Sequence, residues 1–161
     1  MKIELEHGMR RPLRKRDRWL AAGLLIVATA VPAYRGFGPG LLALLGSALL
    51  ALRGIGLAGA GIFHCDLGCP LHGSVDNDIH IELARGGLFC GSLAPLAFSG
   101  QRLRSTRFRA WTLLSLVTAL VLFALAFAPV ETRFPGARQR AFLAVFYLWL
   151  GGSCLWLRAR S

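Results

Sequence analysis

The chain has 161 residues and a mass of 17.5 kDa; 55% of its residues are hydrophobic, 17% are charged, and its mean hydropathy is +0.53. A typical globular domain carries about 25% charged residues, so we predict that lipid rather than water covers most of this surface. The formal net charge of +11 comes from basic clusters between long apolar runs, which is typical of charges that flank membrane spans. We therefore predict an integral membrane protein whose partner is the lipid bilayer and which binds no nucleic acid.

Five segments are apolar enough to cross a bilayer as helices, for which about 20 residues are needed. In chain order they are residues 19–34, 38–63, 80–99, 110–130 and 141–157. None shows the alternation of a transmembrane strand. The small residues Gly54, Ala58 and Gly61 form one smooth stripe that favours close packing of the second helix. The sequence thus predicts an all-α, five-helix transmembrane bundle over residues 19–158, preceded by a basic N-terminal tail, residues 1–18.

Charged residues inside the predicted spans are candidates for a buried role. Arg53 stands ten residues before Phe63, which places it about 15 Å inside that end of the helix. Because a bare charge there costs at least ~2.5 kcal/mol, we expect Arg53 to face the bundle interior, either in a functional cavity or capping backbone carbonyls. Arg85 lies nearer a helix end, and Glu82, one turn earlier, is spaced to pair with it.

Residues that could carry chemistry are concentrated between the second and third spans, in residues 64–79, here named the polar connector. Its candidate residues, together with the histidine that follows it, are His64, Cys65, Asp66, Cys69, His72 and His80. Imidazole, thiolate and carboxylate are zinc ligands, so His64, His72, His80 and Asp66 are candidates for a divalent metal site, although Cys-x3-Cys matches no standard zinc spacing. A redox pair or a structural disulfide between Cys65 and Cys69 are the alternatives, and no cofactor is predicted.

The end of the second span and the polar connector carry a recognisable motif. The motif is Gly61-Ile62-Phe63-His64-Cys65-Asp66-Leu67-Gly68-Cys69-Pro70, followed by His80 at the predicted start of the third helix and by Gln139-Arg140 at the head of the fifth. This pattern resembles the signature of a prokaryotic multi-pass membrane family catalogued as domain of unknown function 998. His64 stands where that family has proline. The resemblance covers about residues 24–158 and implies no known activity. The family usually has six helices, and the first of these has no counterpart among the five helices predicted here.

The distribution of arginine predicts which side faces the cytoplasm. Alternation of spans puts Arg35, residues 102–109 and Arg158 on one side. When the basic tail is left aside, this side carries more basic residues than the other and is therefore expected to face the cytoplasm. The tail itself favours the opposite orientation. The resemblance implies that the polar connector lies outside. We predict an integral protein of the bacterial cytoplasmic (inner) membrane with residues 64–79 extracytoplasmic.

Three residues near helix ends on the connector side are candidate catalytic residues. We predict that Asp66, His80 and Arg140 surround one extracytoplasmic pocket, where they could act in catalysis or bind a lipid headgroup or an anionic small molecule. The structural alternative is that Asp66 hydrogen-bonds the turn and the others anchor the interface. Three functions stay open: a membrane protein of unknown activity with a polar site, a membrane-embedded hydrolase of lipids or small amphiphiles, and a small transporter or assembly partner built around Arg53.

Overall fold

The computed structural model describes residues 15–102, 108–127 and 135–159, so most of the basic tail and the arginines at 104, 107 and 160 lie outside it. The described residues form five α-helices and no strand. The helices are α1 Lys15–Phe37, α2 Leu41–Ile62, α3 Val75–Arg102, α4 Arg109–Phe127 and α5 Pro135–Arg158. All five are long and apolar enough to cross a membrane. The predicted all-α, five-helix transmembrane bundle is confirmed.

Three helices, α1, α3 and α5, begin four to six residues earlier than the apolar pattern predicts. α3 starts at Val75 because the Oγ of Ser74 accepts the backbone N–H of Asn77 at 3.2 Å and so caps the helix. α5 starts at Pro135, and proline favours the first helical position, where its missing N–H is not needed. In consequence His80 and Arg140 lie in the second turns of their helices rather than at the helix starts.

Consecutive helices pack against one another, and α5 also meets α1 over a small area. The predicted stripe of small residues on α2 faces α1 at very short range. A Cβ at Gly54 would stand 2.5 Å from the carbonyl oxygen of Gly23, and a Cβ at Gly61 would stand 2.5 Å from the Cβ of Trp19. Any larger side chain at these positions would force the two helices apart.

The up-and-down order gives the bundle two distinct ends. At the connector end, α1, α3 and α5 begin and α2 and α4 finish; at the opposite end the reverse holds. An aromatic cluster lies at the opposite end, where the Phe37 ring is 4.5 Å from that of Phe98 and 4.7 Å from that of Trp111. The candidate site lies at the other end, beside the polar connector.

Candidate functional site

The carboxylate of Asp66 is engaged in folding the polar connector. It accepts the backbone N–H of Ser74 at 2.7 Å and the Ser74 hydroxyl at 2.8 Å. The backbone hydrogen bond, followed by the hydroxyl, holds the pKa of Asp66 below its ordinary value of 3.8. Asn77 completes the fold, since its Oδ1 accepts the N–H of Asp66 at 3.1 Å and its Nδ2 donates to the Pro70 carbonyl at 3.0 Å. Asp66 therefore closes a loop that also caps α3.

The two connector cysteines form a disulfide, Cys65–Cys69, with their Cα atoms 5.1 Å apart. Among the described residues, one group could place three metal-ligand atoms within 4.8 Å of one another, namely Cys65, Cys69 and His80. A disulfide offers no thiolate, the form in which cysteine binds metals, and the exposed His64 and His72 are not in the group. In this form the residues do not fit a metal site.

His80 joins α3 to the end of α2. Its Nδ1 lies 2.9 Å from the carbonyl oxygens of both Ala60 and Phe63. Because carbonyl oxygens only accept hydrogen bonds, Nδ1 carries the proton, and the ring caps carbonyls that the last turn of α2 leaves without a helical partner. Nε2 is the nitrogen that stays available to a ligand.

Of the three residues predicted to share a pocket, His80 alone is among the lining residues of the cavity at the connector end. Asp66 and Arg140 are not among them, and Arg140 is exposed. Gln139 takes the place expected of Arg140, because one step along a helix turns a side chain by about 100°. Arg85 pairs with Glu82 at 3.4 Å on the exposed surface, at the spacing that suggested the pair.

Arg53 is the one buried cation among the described residues, with 2% of its surface exposed. Its guanidinium carbon lies 5.5 Å from the ring centroids of both Phe142 and Phe146, so two cation–π contacts face it from α5. On the α3 side, Gly87 and Gly91 leave the room that its side chain occupies; a Cβ at Gly91 would lie 2.8 Å from the Arg53 Cδ. This setting holds the guanidinium in place with rings and bare backbone.

The polar atoms of Arg53 are not satisfied by this setting. Its Nε is buried and has no hydrogen-bond partner among the described residues. The ion pairs in the described part of the chain, Arg16–Asp17 and Arg85–Glu82, do not involve it. Arg53 therefore lies in the bundle interior, as predicted, and its Nε caps no backbone carbonyl among the described residues.

Arg53 lies at the inner limit of a cavity of about 260 Å³, here named the connector-end cavity. Its lining comes from the helix ends around the disulfide, and the residues are Arg16, Trp19, Arg53, Leu57, Ala60, Phe63, His64, Cys65, Cys69, His80, Ala84, Leu88 and Gln139. Polar side chains stand near its outer part and apolar ones near Arg53. The cavity thus leads from the polar connector to a buried cation.

Sequence reasoning found Arg53 but missed the residues around it. Phe142 and Phe146 stand four residues apart on α5, and Gly87 and Gly91 stand four apart on α3. Each pair therefore lies on one face of its helix. The sequence signal that could have identified the surroundings of Arg53 was an aromatic pair and a glycine pair at this spacing, together with one intramembrane arginine.

Comparison with known proteins places the chain in a family. No curated protein and no solved structure matches it. A family model described as protein of unknown function (DUF998) matches residues 17–156, which takes in nearly all of the five helices. The resemblance seen in the polar connector thus extends along the bundle, and the chain belongs to the DUF998 family.

Proposed function

We propose that this integral membrane protein binds the anionic group of a membrane amphiphile, a carboxylate or a phosphate, beside Arg53 in the connector-end cavity. Two observations on one residue carry the proposal: Arg53 lines the cavity, and its buried Nε has no hydrogen-bond partner among the described residues. An unmade hydrogen bond of a buried charged group costs roughly 1–3 kcal/mol or more. A bound anion supplies the missing acceptor.

The chemistry of arginine favours this class of ligand. Its guanidinium stays charged in proteins and presents parallel N–H groups that match the two oxygens of a carboxylate or phosphate. The rings of Phe142 and Phe146 attract the cation but accept no conventional hydrogen bond. They hold the guanidinium in position and leave its N–H groups for the ligand.

The rest of the cavity suits an amphiphile. Leu57, Leu88 and Trp19 give apolar walls, while His80 and Gln139 offer polar groups towards the connector. A volume of about 260 Å³ is near the lower limit of small-molecule pockets, which hold ligands in roughly 300–1,000 Å³. It is sufficient for a headgroup with a short apolar segment.

A carrier is a second candidate function, favoured by the position of a further cavity. That cavity, of about 600 Å³, reaches Leu50 from the opposite end of the bundle, one helical turn from Arg53. If the protein is a carrier, Leu50→Ala should connect the two cavities and speed the uptake into proteoliposomes of octanesulfonate, which stays charged at neutral pH. Unchanged uptake would argue against a carrier and leave binding as the proposed function.

A hydrolase centred on Asp66 and His80 has less support. The Asp66 carboxylate is engaged by Ser74, and the Nδ1 of His80 is engaged by two carbonyls of α2. Neither group is paired with the other among the described hydrogen bonds.

We also propose that the protein resides in a bacterial inner membrane with the polar connector outside. With the basic tail, residues 1–18, left aside, arginine is more frequent at the opposite end, where Arg35, Arg109 and Arg158 lie, and the positive-inside rule then places that end in the cytoplasm. A disulfide at the connector end also fits an oxidising compartment. After mild reduction, an impermeant maleimide should label Cys65 or Cys69 in intact spheroplasts of a Cys90→Ser/Cys154→Ser variant. Labelling that requires opened membranes would invert the orientation.

Calorimetric titration of the protein in phosphatidylcholine nanodiscs tests the binding function. Octanoate should bind and octanol, which lacks the charge, should not, with empty nanodiscs as the blank. Arg53→Leu should abolish the octanoate heat, whereas Arg109→Leu, which removes an exposed arginine, should leave it unchanged. Binding that survives Arg53→Leu, or that is lost in Arg35→Leu instead, would overturn the proposal.

A further inference from the structure

A second cavity lies at the opposite end of the bundle, between the C-terminal halves of α1 and α5, and is named here the opposite-end cavity. Its volume is about 600 Å³. Ala33 and Pro32 of α1 and Leu150 and Leu157 of α5 give it apolar sides, and Leu50 of α2 lies at its inner limit. It is large enough for part of an apolar chain.

Aromatic rings fix the walls of this cavity. The Phe37 ring packs 4.5 Å from the ring of Phe98, and the Trp156 ring lies 5.0 Å from that of Phe108. Trp149 donates from Nε1 to the Ser115 hydroxyl at 3.0 Å, so its polar atom is satisfied within the bundle. The walls are therefore preformed and present mainly apolar surface.

Charge at the cavity is of one sign. Arg35, in the last turn of α1, and Arg158, in the last turn of α5, both line it and are both exposed. No aspartate or glutamate is among its described lining residues. Two arginines at the ends of membrane-spanning helices lie at the depth of lipid headgroups. The cavity thus combines an apolar interior with a cationic rim.

We propose that the opposite-end cavity binds an anionic phospholipid of the surrounding leaflet, with one acyl chain along the apolar walls and the phosphate at Arg35 and Arg158. The charge of the rim selects an anionic headgroup, and the apolar interior selects a ligand with a chain. This inference goes beyond the function proposed for Arg53, because it concerns another cavity, another ligand and the other face of the membrane.

A native thiol reports on occupancy of this cavity. Cys154 lines it, is exposed and forms no disulfide. In a Cys90→Ser variant it is the remaining free thiol, since Cys65 and Cys69 are joined. The rate of its alkylation by N-ethylmaleimide, a neutral reagent, is measured in nanodiscs of phosphatidylcholine with and without phosphatidylglycerol.

We expect phosphatidylglycerol to slow alkylation of Cys154 and soluble glycerol 3-phosphate, which has no chains, to leave it unchanged. Arg35→Gln should raise the phosphatidylglycerol content needed for half protection by about tenfold or more, the effect of losing one charge-assisted hydrogen bond. Arg109→Gln removes an exposed arginine at the same end outside the cavity and should keep the protection. Arg53→Leu should keep it too, which separates this site from the connector-end cavity.

Four results would overturn the proposal. Equal alkylation rates in both lipid mixtures would show that no anionic lipid covers Cys154. Slowing that persists in Arg35→Gln, or that disappears equally in Arg109→Gln, would assign the effect to surface potential. Protection by glycerol 3-phosphate alone would indicate an anion site without a lipid chain.

Discussion

Leu50 and Arg53 stand one turn apart on α2, and each lines a different cavity. Leu50 is fully buried and faces the cavity that opens at the opposite end, whereas Arg53 faces the cavity that leads to the polar connector. A single helical turn, about 5.4 Å long, thus divides an apolar compartment from one that contains a buried cation. The Nε of that cation is buried without a hydrogen-bond partner among the described residues, and the proposed binding function depends on this atom.

Arg53→Leu should leave the stability of the ligand-free bundle unchanged or raise it. The substitution replaces a buried charge that lacks hydrogen bonds by an apolar side chain, a change that is often neutral or stabilising. Thermal unfolding in detergent measures it, with Arg109→Leu as the control. A clear fall in the unfolding temperature for Arg53→Leu alone would show that the arginine serves the packing of the bundle.

Gly91→Ala should destabilise the bundle by about 1–3 kcal/mol, the usual cost of overpacking. The new methyl group would stand 2.8 Å from the Cδ and 3.2 Å from the Nε of Arg53. Gly86→Ala, on the same helix with open space at its Cβ, should instead stabilise by up to about 1 kcal/mol because alanine favours helix.

Chemical unfolding of the two glycine variants measures the difference, and combining Gly91→Ala with Arg53→Ala tests its cause. Removing the arginine side chain should recover most of the loss. If the double variant is no more stable than the sum of its two single changes, the arginine does not occupy the space beside Gly91.

These residues show how much of the structure can be predicted from the sequence. The apolar runs predict five spans, and the depth of Arg53 predicts that it faces inward. The rings of Phe142 and Phe146 are not predicted, because which face of α5 meets α2 depends on the packing of the whole bundle. The start of α3 is predicted too late for a related reason. Ser74 caps the helix and so sets where it begins, whereas the apolar run used for the prediction starts further along the chain.

Local details also explain why the cavity is lined by His80 but not by Asp66 or Arg140. Placing three helix ends on one side of the membrane leaves the direction of each side chain undetermined. One residue along α5 decides whether arginine or glutamine enters the cavity, and hydrogen bonds within the connector decide where Asp66 is held.

His80→Ala should destabilise the junction of α2 and α3 by roughly 1–3 kcal/mol, because the carbonyls of Ala60 and Phe63 lose their shared donor. His80→Asn keeps an N–H near the position of Nδ1 and should recover part of the loss. His72→Ala, at an exposed histidine, should have no effect. Hydrogen exchange at the last turn of α2 measures the change; equal protection in all three variants would contradict the capping role.

The polar connector should lose stability in acid. The pKa of Asp66 is lower in the folded protein than its ordinary value of 3.8. Its hydrogen bonds therefore stabilise the loop fully at a pH above 3.8, and this contribution disappears as the pH falls through the lower pKa of the folded state. Ser74→Ala removes the hydroxyl donor and the cap of α3, so it should raise the pKa of Asp66 and cost about 0.5–2 kcal/mol. Ser74→Thr should preserve both. A carbon NMR titration of the Asp66 carboxyl measures the midpoint, and a midpoint at or above 3.8 in the native protein would contradict the assigned bonds.

The most direct test of the central claim is the nitrogen NMR signal of the Arg53 Nε–H group, assigned by its loss in Arg53→Lys. Adding octanoate to the protein in phosphatidylcholine nanodiscs should shift this proton downfield and slow its exchange with water, because the Nε gains the hydrogen-bond acceptor that it lacks. Octanol should leave the signal in place. A signal that does not change while calorimetry records octanoate binding would show that the anion binds elsewhere and would contradict the account.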